Sequence, residues 1–126
     1  MTGRTNRALI VDDDDDMRFL VRVIIEAANE GLTVAAEARN ANEAVERWRE
    51  LQPDVIVLDN RMPGRSGLDV AAEILAEDPY QSIILFSAFL DDDTTTRAGE
   101  LGVRACLSKD HYDELPAALW RYGPAA

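Results

Sequence analysis

The sequence contains very little cysteine, because Cys106 is the only one among 126 residues. A single cysteine excludes an internal disulfide and fits a reducing compartment, so a cytoplasmic location is expected. There is no apolar run of about 18 residues, which excludes a membrane-spanning helix. The basic residues of 1–7 have no apolar signal segment behind them, so no secretory signal is visible.

The sequence is also poor in positive charge. It has 13 Lys and Arg against 24 Asp and Glu, for a formal net charge of −11. This balance argues against binding to nucleic acid or to an anionic membrane, and favours a cation ligand or a partner with a basic patch. With 47% hydrophobic residues, 126 residues are enough for one core. We therefore expect a single domain over 1–126, with its core at about 7–122.

Apolar runs that are typical of buried strands alternate with segments that are typical of helices. Short apolar runs between turn residues predict strands at 7–11, 33–38, 54–58, 82–86 and 105–109. A helix is expected after each run, opening near Asp14, Asn40, Ser66, Asp91 and Asp113. This alternation predicts an α/β fold, a doubly wound (βα)5 flavodoxin-like three-layer sandwich. Its five-stranded parallel sheet would have the order 2-1-3-4-5.

Local details of the helices can be predicted too. Asp14 to Asp16 would occupy the cap and first turn of the first helix, and Asn40 with Glu43 resembles a capping box. Asp113 is a candidate cap of the last helix. Arg18 falls on a polar face of the first helix with Arg22 and Glu26, away from the apolar residues.

Carboxylates mark the ends of two neighbouring predicted strands. Asp12 and Asp13 follow the first strand, and Asp59 follows the third. In the predicted order these strands are adjacent, so the three carboxylates converge, with Ser87 and Lys109 at the same edge. Their repulsion would be relieved by a hard cation, and Mg²⁺ or Mn²⁺ suits such a site. A carboxylate can also serve as a nucleophile that forms an aspartyl phosphate, while Lys109 and Ser87 clamp the phosphoryl oxygens.

These residues resemble the receiver domain of two-component response regulators, of the CheY-like superfamily. The similar motifs, in chain order, are Val11-Asp12-Asp13, Leu58-Asp59-x-x-Met62-Pro63-Gly64-x-x-Gly67, Ser87-Ala88 and Lys109. Together they span about 7–122. The resemblance implies a phosphorylation-dependent signalling switch rather than an enzyme with its own substrate.

By that resemblance, Asp59 is the phosphoacceptor, charged from a histidine kinase or a phosphotransfer protein. Asp12, Asp13, Asp59 and the backbone carbonyl of Arg61 would hold Mg²⁺, and Ser87 and Lys109 would contact the phosphoryl group and act in the switch. Phosphorylation would change the face made by the fourth helix, fifth strand and fifth helix, which could form a homodimer. Neither nucleic acid nor a membrane is an expected partner of this domain.

Two positions depart from the commonest family pattern. Asp110 follows Lys109 where a proline is usual; Lys-Asp resembles the variant of receivers attached to helix-turn-helix DNA-binding domains, the NarL/LuxR type. Cys106 stands where many members have an aromatic residue. A phosphorylation-independent pseudo-receiver that acts as a binding module is therefore an alternative. A phosphohydrolase is disfavoured, because Arg61 occupies the place of the second carboxylate that such enzymes use.

The resemblance also concerns the lifetime of an aspartyl phosphate. The residues two places after the phosphoacceptor and two places after the hydroxyl residue border the approach of water, and here they are Arg61 and Phe89. Neither acts as a general base at neutral pH. We therefore expect slow self-dephosphorylation tuned by these two side chains.

Overall fold

A computed structural model describes residues 6–28 and 31–123 of the chain. Its strands are β1 Asn6–Val11, β2 Leu32–Ala38, β3 Val55–Leu58, β4 Ser82–Ser87 and β5 Ala105–Ser108. They form a parallel sheet in the order β2-β1-β3-β4-β5. The helices are α1 Asp15–Ala28, α2 Ala41–Leu51, α3 Gly67–Glu77, α4 Asp92–Leu101 and α5 Leu115–Tyr122. The predicted strand order of a flavodoxin-like fold is confirmed. Among the described residues, every helix is too short or too polar to span a membrane.

Both faces of the sheet are covered. All four residues of β3 and all six of β4 are buried, as expected for central strands of a parallel sheet. Leu9 and Val11 pack in one core with residues of α2, α3 and α4. Ala8 and Ile10 point to the other face and pack with residues of α1 and α5. The alternation of side chains along β1 thus feeds two apolar layers on either side of one sheet.

The helices begin at polar caps, as predicted for most of them. Asp14 Oδ1 accepts hydrogen bonds from the backbone N–H groups of residues 16 and 17, and Asn40 Oδ1 accepts one from Glu43 N at 2.9 Å. The predicted capping box is only half formed, because the Glu43 carboxylate accepts from Arg39 N, at 3.0 Å. Glu43 thereby ties the preceding loop to α2, and its carboxylate bonds the N–H of the residue before the cap rather than that of Asn40.

The prediction that Asp113 caps the last helix is wrong. Asp113 lies inside a 3-10 helix, Lys109–Glu114, that runs directly into α5. The backbone N–H of Leu115 already donates to Tyr112 O, and the residue before α5 makes no side-chain cap bond. Because the preceding turn supplies the partner, a separate side-chain cap is not required.

Candidate functional site

The main chain holds two carboxylates at the carboxyl ends of adjacent strands. Asp12 N donates to Ala38 O at 3.0 Å, and Asp59 N donates to Val11 O at 2.9 Å. Each aspartate therefore extends the hydrogen-bonded ladder by one residue beyond its strand. The strands beneath them are buried on both faces, so neither backbone can shift without disturbing the core.

Three carboxylates cluster at this edge. Asp12, Asp13 and Asp59 each offer an oxygen, and these oxygens all lie within 4.8 Å of one another. Asp12 and Asp59 are each only 3% exposed, whereas Asp13 faces solvent. Two nearly buried carboxylates and one exposed carboxylate form an oxygen-rich site that is open on one side, the donor set that hard divalent cations prefer.

Lys109 is the positive charge inside this cluster. Its Nζ lies 2.8 Å from Asp12 Oδ2 and 3.4 Å from Asp59 Oδ1. Burial raises the pKa of Asp59 to about 6, with a further contribution from the charge of Asp12, and Lys109 only partly opposes this rise. For Lys109, burial lowers the pKa, but its hydrogen bond to Asp12 and the two carboxylate charges outweigh burial and raise it. The lysine thus pairs more closely with Asp12 than with Asp59, whose carboxylate remains undercompensated.

Ser87 ends β4 at the same edge. It is fully buried, and its Oγ has no hydrogen-bond partner within the described residues. Leu85, two residues earlier, pairs in register with Leu58, the residue before Asp59. A buried hydroxyl without a partner is unfavourable, so its position is best explained by a group that binds there.

A tight loop after Asp59 fixes the backbone of the site. Asn60 O accepts from Gly67 N at 2.9 Å, and Asn60 Oδ1 accepts from Leu68 N at 3.0 Å. A Cβ at Gly67 would lie 2.1 Å from Asp59 O, so only glycine permits this approach. The loop therefore folds back onto the start of α3 and holds the Asp59 carbonyl in place.

Arg61 and Phe89 contact each other on the loops that follow β3 and β4. The Arg61 guanidinium carbon lies 4.7 Å from the centroid of the Phe89 ring, a cation–π geometry. Both residues are exposed, and Phe89 keeps 52% of its surface accessible. The two side chains that the family resemblance predicts to lie beside Asp59 are therefore in contact with each other.

Arg18 is a buried residue of the site, although the sequence pattern predicts it on a polar face of α1. The residue is only 9% exposed, and its Nη1 donates to Asp12 O at 2.8 Å. Its Nε donates to Glu37 Oε1 at 3.1 Å. The signal was present in the sequence, because Arg18 precedes the core residues Val21 and Ile25 by three and seven positions and so shares their face.

Exposed carboxylates surround the site; we call them the acidic rim. They lie on the loops and first helical turns that follow β1, β4 and β5, all at the same edge of the sheet. The members are Asp13, Asp14, Asp15, Asp16, Asp91, Asp92, Asp93, Asp110, Asp113 and Glu114. This distribution places much of the net negative charge of the chain around one opening.

Comparison with known proteins gives a consistent result. The family model of the response regulator receiver domain matches residues 8–119. Chemotaxis protein CheY of Thermotoga maritima is 40% identical over 103 residues, covering 82% of this chain and 84% of that protein. A LuxR-family two-component response regulator from Aurantimonas matches with a TM-score of 0.87 and 31% identity, covering 94% and 84% of the two chains. Response regulator TrrA of Thermotoga maritima, solved in complex with Mg²⁺-BeF, matches with a TM-score of 0.81 and 29% identity, covering 93% and 98%.

Proposed function

Because this chain belongs to the response regulator receiver domain family, we propose that it is a phosphorylation-dependent signalling switch whose phosphoacceptor is Asp59. The observation that carries the proposal is that one edge of the sheet holds a carboxylate cluster with Lys109 and also the buried hydroxyl of Ser87, which has no hydrogen-bond partner among the described residues. Receiver domains are signalling domains that work with kinases or phosphotransfer proteins and with effectors. The domain would comprise residues 1–126, with its core at about 7–122, and would accept its phosphoryl group in the cytoplasm from a histidine kinase or a phosphotransfer protein.

The cluster fits a divalent cation. Asp12, Asp13 and Asp59 would hold Mg²⁺ or Mn²⁺ together with the backbone carbonyl of Arg61, and the open side at Asp13 leaves room for water and phosphoryl oxygens. When bound, the cation would neutralise carboxylate charge and draw electron density from the phosphoryl oxygens. The response regulator solved with Mg²⁺-BeF supports this assignment, since it shares the fold at 29% identity.

The side chains of this chain divide the chemistry of phosphoryl transfer. An Asp59 oxygen would attack the phosphorus of a phosphohistidine, so that a P–O bond forms while the P–N bond breaks and the imidazole keeps its electron pair. Lys109, already 3.4 Å from Asp59 Oδ1, would pair with the added negative charge. Ser87, whose hydroxyl has no partner within residues 6–28 and 31–123, would donate a hydrogen bond to a phosphoryl oxygen.

Labelling with a small phosphodonor tests the assignment. In the presence of Mg²⁺, the parent should gain one phosphoryl group by intact mass, and Asp59→Asn should gain none. Asp93→Asn, on the acidic rim, is the matched control and should label like the parent. Unchanged labelling of Asp59→Asn would rule out Asp59 as the acceptor, and absence of labelling in the parent would favour a phosphorylation-independent binding module.

The output face would be α4, β5 and α5. Only Ala98 of α4 is buried, and all four β5 residues are partly exposed, so this side of the molecule is loosely covered. Cys106, where many members carry an aromatic, is one of these partly exposed β5 residues. Trp120 of α5 keeps 74% of its surface accessible. Such a residue is well suited to an interface, including a homodimer.

Sedimentation with and without a phosphoryl mimic tests the output face. Binding of the mimic should change self-association or partner binding, and Trp120→Ser should reduce that change while labelling of Asp59 persists. Backbone NMR shifts confined to the loop after Asp59 would argue that no signal leaves the site.

The lifetime of the phosphoryl group would be set by Arg61 and Phe89. The two side chains are in cation–π contact with each other, and neither offers a base that could activate water. Arg61 is also close enough to Asp91 to contribute to the lowered pKa of that carboxyl, after the bonds from Thr94. We therefore expect slow self-dephosphorylation.

A further inference from the structure

Arg18 contacts three parts of the chain next to the site, namely the end of β1, β2 and the first turn of α1. Within residues 6–28 and 31–123 it is the only buried arginine. Its Nη1 donates to Asp12 O, its Nε donates to Glu37 of β2, and its Nη2 pairs with Asp15 in the first turn of α1. A buried guanidinium is tolerated only with such partners. Its bonds therefore tie the end of β1 to β2 and to the first turn of α1.

The bond to Asp12 O acts on the peptide unit that links two carboxylates of the cluster. That unit is planar, so holding its oxygen restrains the peptide plane and with it the Cα positions of Asp12 and Asp13. The Asp12 side chain is anchored separately, with Oδ1 accepting from Asp14 N at 3.0 Å and Oδ2 lying 2.8 Å from Lys109 Nζ. Arg18 therefore adds a main-chain anchor at the Asp12 carbonyl to the one that Ala38 O provides at the Asp12 N–H, while the side-chain anchors come from elsewhere.

We infer that Arg18 is a positioning residue, which sets the divalent-cation affinity of the cluster by holding the Asp12–Asp13 peptide. The inference rests on the proposed Mg²⁺ site. Groups that orient metal ligands without touching the metal typically change metal affinity by about 10- to 100-fold when they are removed. Loss of the bond to Asp12 O should act in the same way, because the Asp12–Asp13 peptide is then free to rotate and no longer holds the Asp13 carboxylate beside those of Asp12 and Asp59.

The sign of the effect separates positioning from charge. Arg18 is cationic and close to the cluster, so its charge alone opposes the binding of a second cation. If Arg18 acted only through its charge, Arg18→Met would bind Mg²⁺ more tightly than the parent. If Arg18 positions the peptide, Arg18→Met binds Mg²⁺ more weakly despite the removal of a repulsive charge.

Arg22 offers a matched control. It also pairs with Glu37, with Nε 2.9 Å from Oε2, and it lies one helical turn further along α1. Arg22→Met removes a positive charge and a Glu37 contact but leaves the bond from Arg18 to Asp12 intact. Both substitutions should reduce fold stability, and only Arg18→Met should weaken metal binding.

The experiment is a calorimetric Mg²⁺ titration of the parent, Arg18→Met and Arg22→Met, at a temperature where circular dichroism shows each to be folded. We expect an affinity at least about 10-fold weaker for Arg18→Met and an unchanged or slightly tighter affinity for Arg22→Met. Equal or tighter binding by Arg18→Met overturns the inference and leaves the proposed function intact. Absence of Mg²⁺ binding by the parent overturns both. If Arg18→Met does not fold, Arg18→Gln, which is neutral and too short to reach Asp12 O, carries the same expectation and the same refutation.

Discussion

Replacement of Asp59 by asparagine should stabilise the metal-free fold while it removes the proposed phosphoacceptor. The Asp59 carboxyl is nearly buried, and its pKa is raised to about 6 by that burial and by the charge of Asp12. At pH 7 the carboxyl is therefore mostly ionised, and its ionised form lowers the stability of the folded chain. Asparagine has the same shape, carries no charge and leaves the shorter contact between Lys109 and Asp12 in place.

The expected gain follows from linkage between folding and proton binding. A carboxyl whose pKa is higher in the folded chain binds its proton more tightly there, so stability is greatest below the unfolded value of 3.8 and falls as pH rises from 3.8 to about 6. Each tenfold change in proton affinity corresponds to about 1.4 kcal/mol, so the full penalty at pH 7 is about 3 kcal/mol. At pH 5 roughly half of it remains. Asp59→Asn should recover about 1–3 kcal/mol at pH 7, and about half as much at pH 5.

Urea unfolding in EDTA, at several pH values from 5 to 8, measures this difference. Other titrating groups are common to parent and variant, so they cancel in the comparison. Asp93→Asn reports the effect of removing one exposed rim charge and should change stability little. Saturating Mg²⁺ should reduce or reverse the difference in unfolding free energy between Asp59→Asn and the parent, because Mg²⁺ stabilises the parent by binding. An Asp59→Asn variant that is no more stable than the parent at pH 7, or whose gain is the same at pH 5 and pH 7, would refute the reasoning.

Two further predictions concern the loops around the site. Gly67→Ala should lower the free energy of unfolding in urea by about 1–3 kcal/mol and slow phosphoryl labelling, because its Cβ would overlap Asp59 O. The control is Gly99→Ala, whose Cβ meets nothing within 4 Å and which should be neutral or stabilising by up to about 1 kcal/mol. Equal stability of the two variants would contradict the close approach of Gly67 to Asp59 O. The double variant Arg61→Asn with Phe89→Ser should lose its phosphoryl group faster than the parent, followed by intact mass after removal of the donor. A double variant that decays no faster would show that the contact between these side chains does not protect the site.

The fold was predictable because its signals are local. The runs 55–58 and 82–87 are buried on both faces, so they appear in the sequence as continuous apolar segments between turn residues. The residues at the ends of these runs then follow from topology, since the carboxyl ends of parallel strands share one edge. Asp12, Asp59, Ser87 and Lys109 could thus be assigned to one edge without coordinates.

What could not be predicted depends on contacts between distant positions. Arg18 is buried because Glu37, 19 residues away, and the carbonyl of Asp12 both receive its N–H groups. The helical pattern puts Arg18 on the face of Val21 and Ile25, but it does not report the partners that allow a guanidinium to be buried there. The preference of Lys109 for Asp12 over Asp59 is likewise a matter of distances, 2.8 against 3.4 Å. The raised pKa of Asp59 follows from burial and from that geometry.

The acidic rim has a consequence for the rate at which different phosphoryl donors react. A small anionic donor must approach Asp59 against the negative potential of the exposed carboxylates, so added salt, which shortens the range of that potential to about 10 Å at 0.1 M, should speed its reaction. A protein donor whose docking surface is basic is attracted by the same potential, and added salt should slow its association. The opening of the site would thus select its donor during diffusion, before any contact with the phosphoacceptor is made.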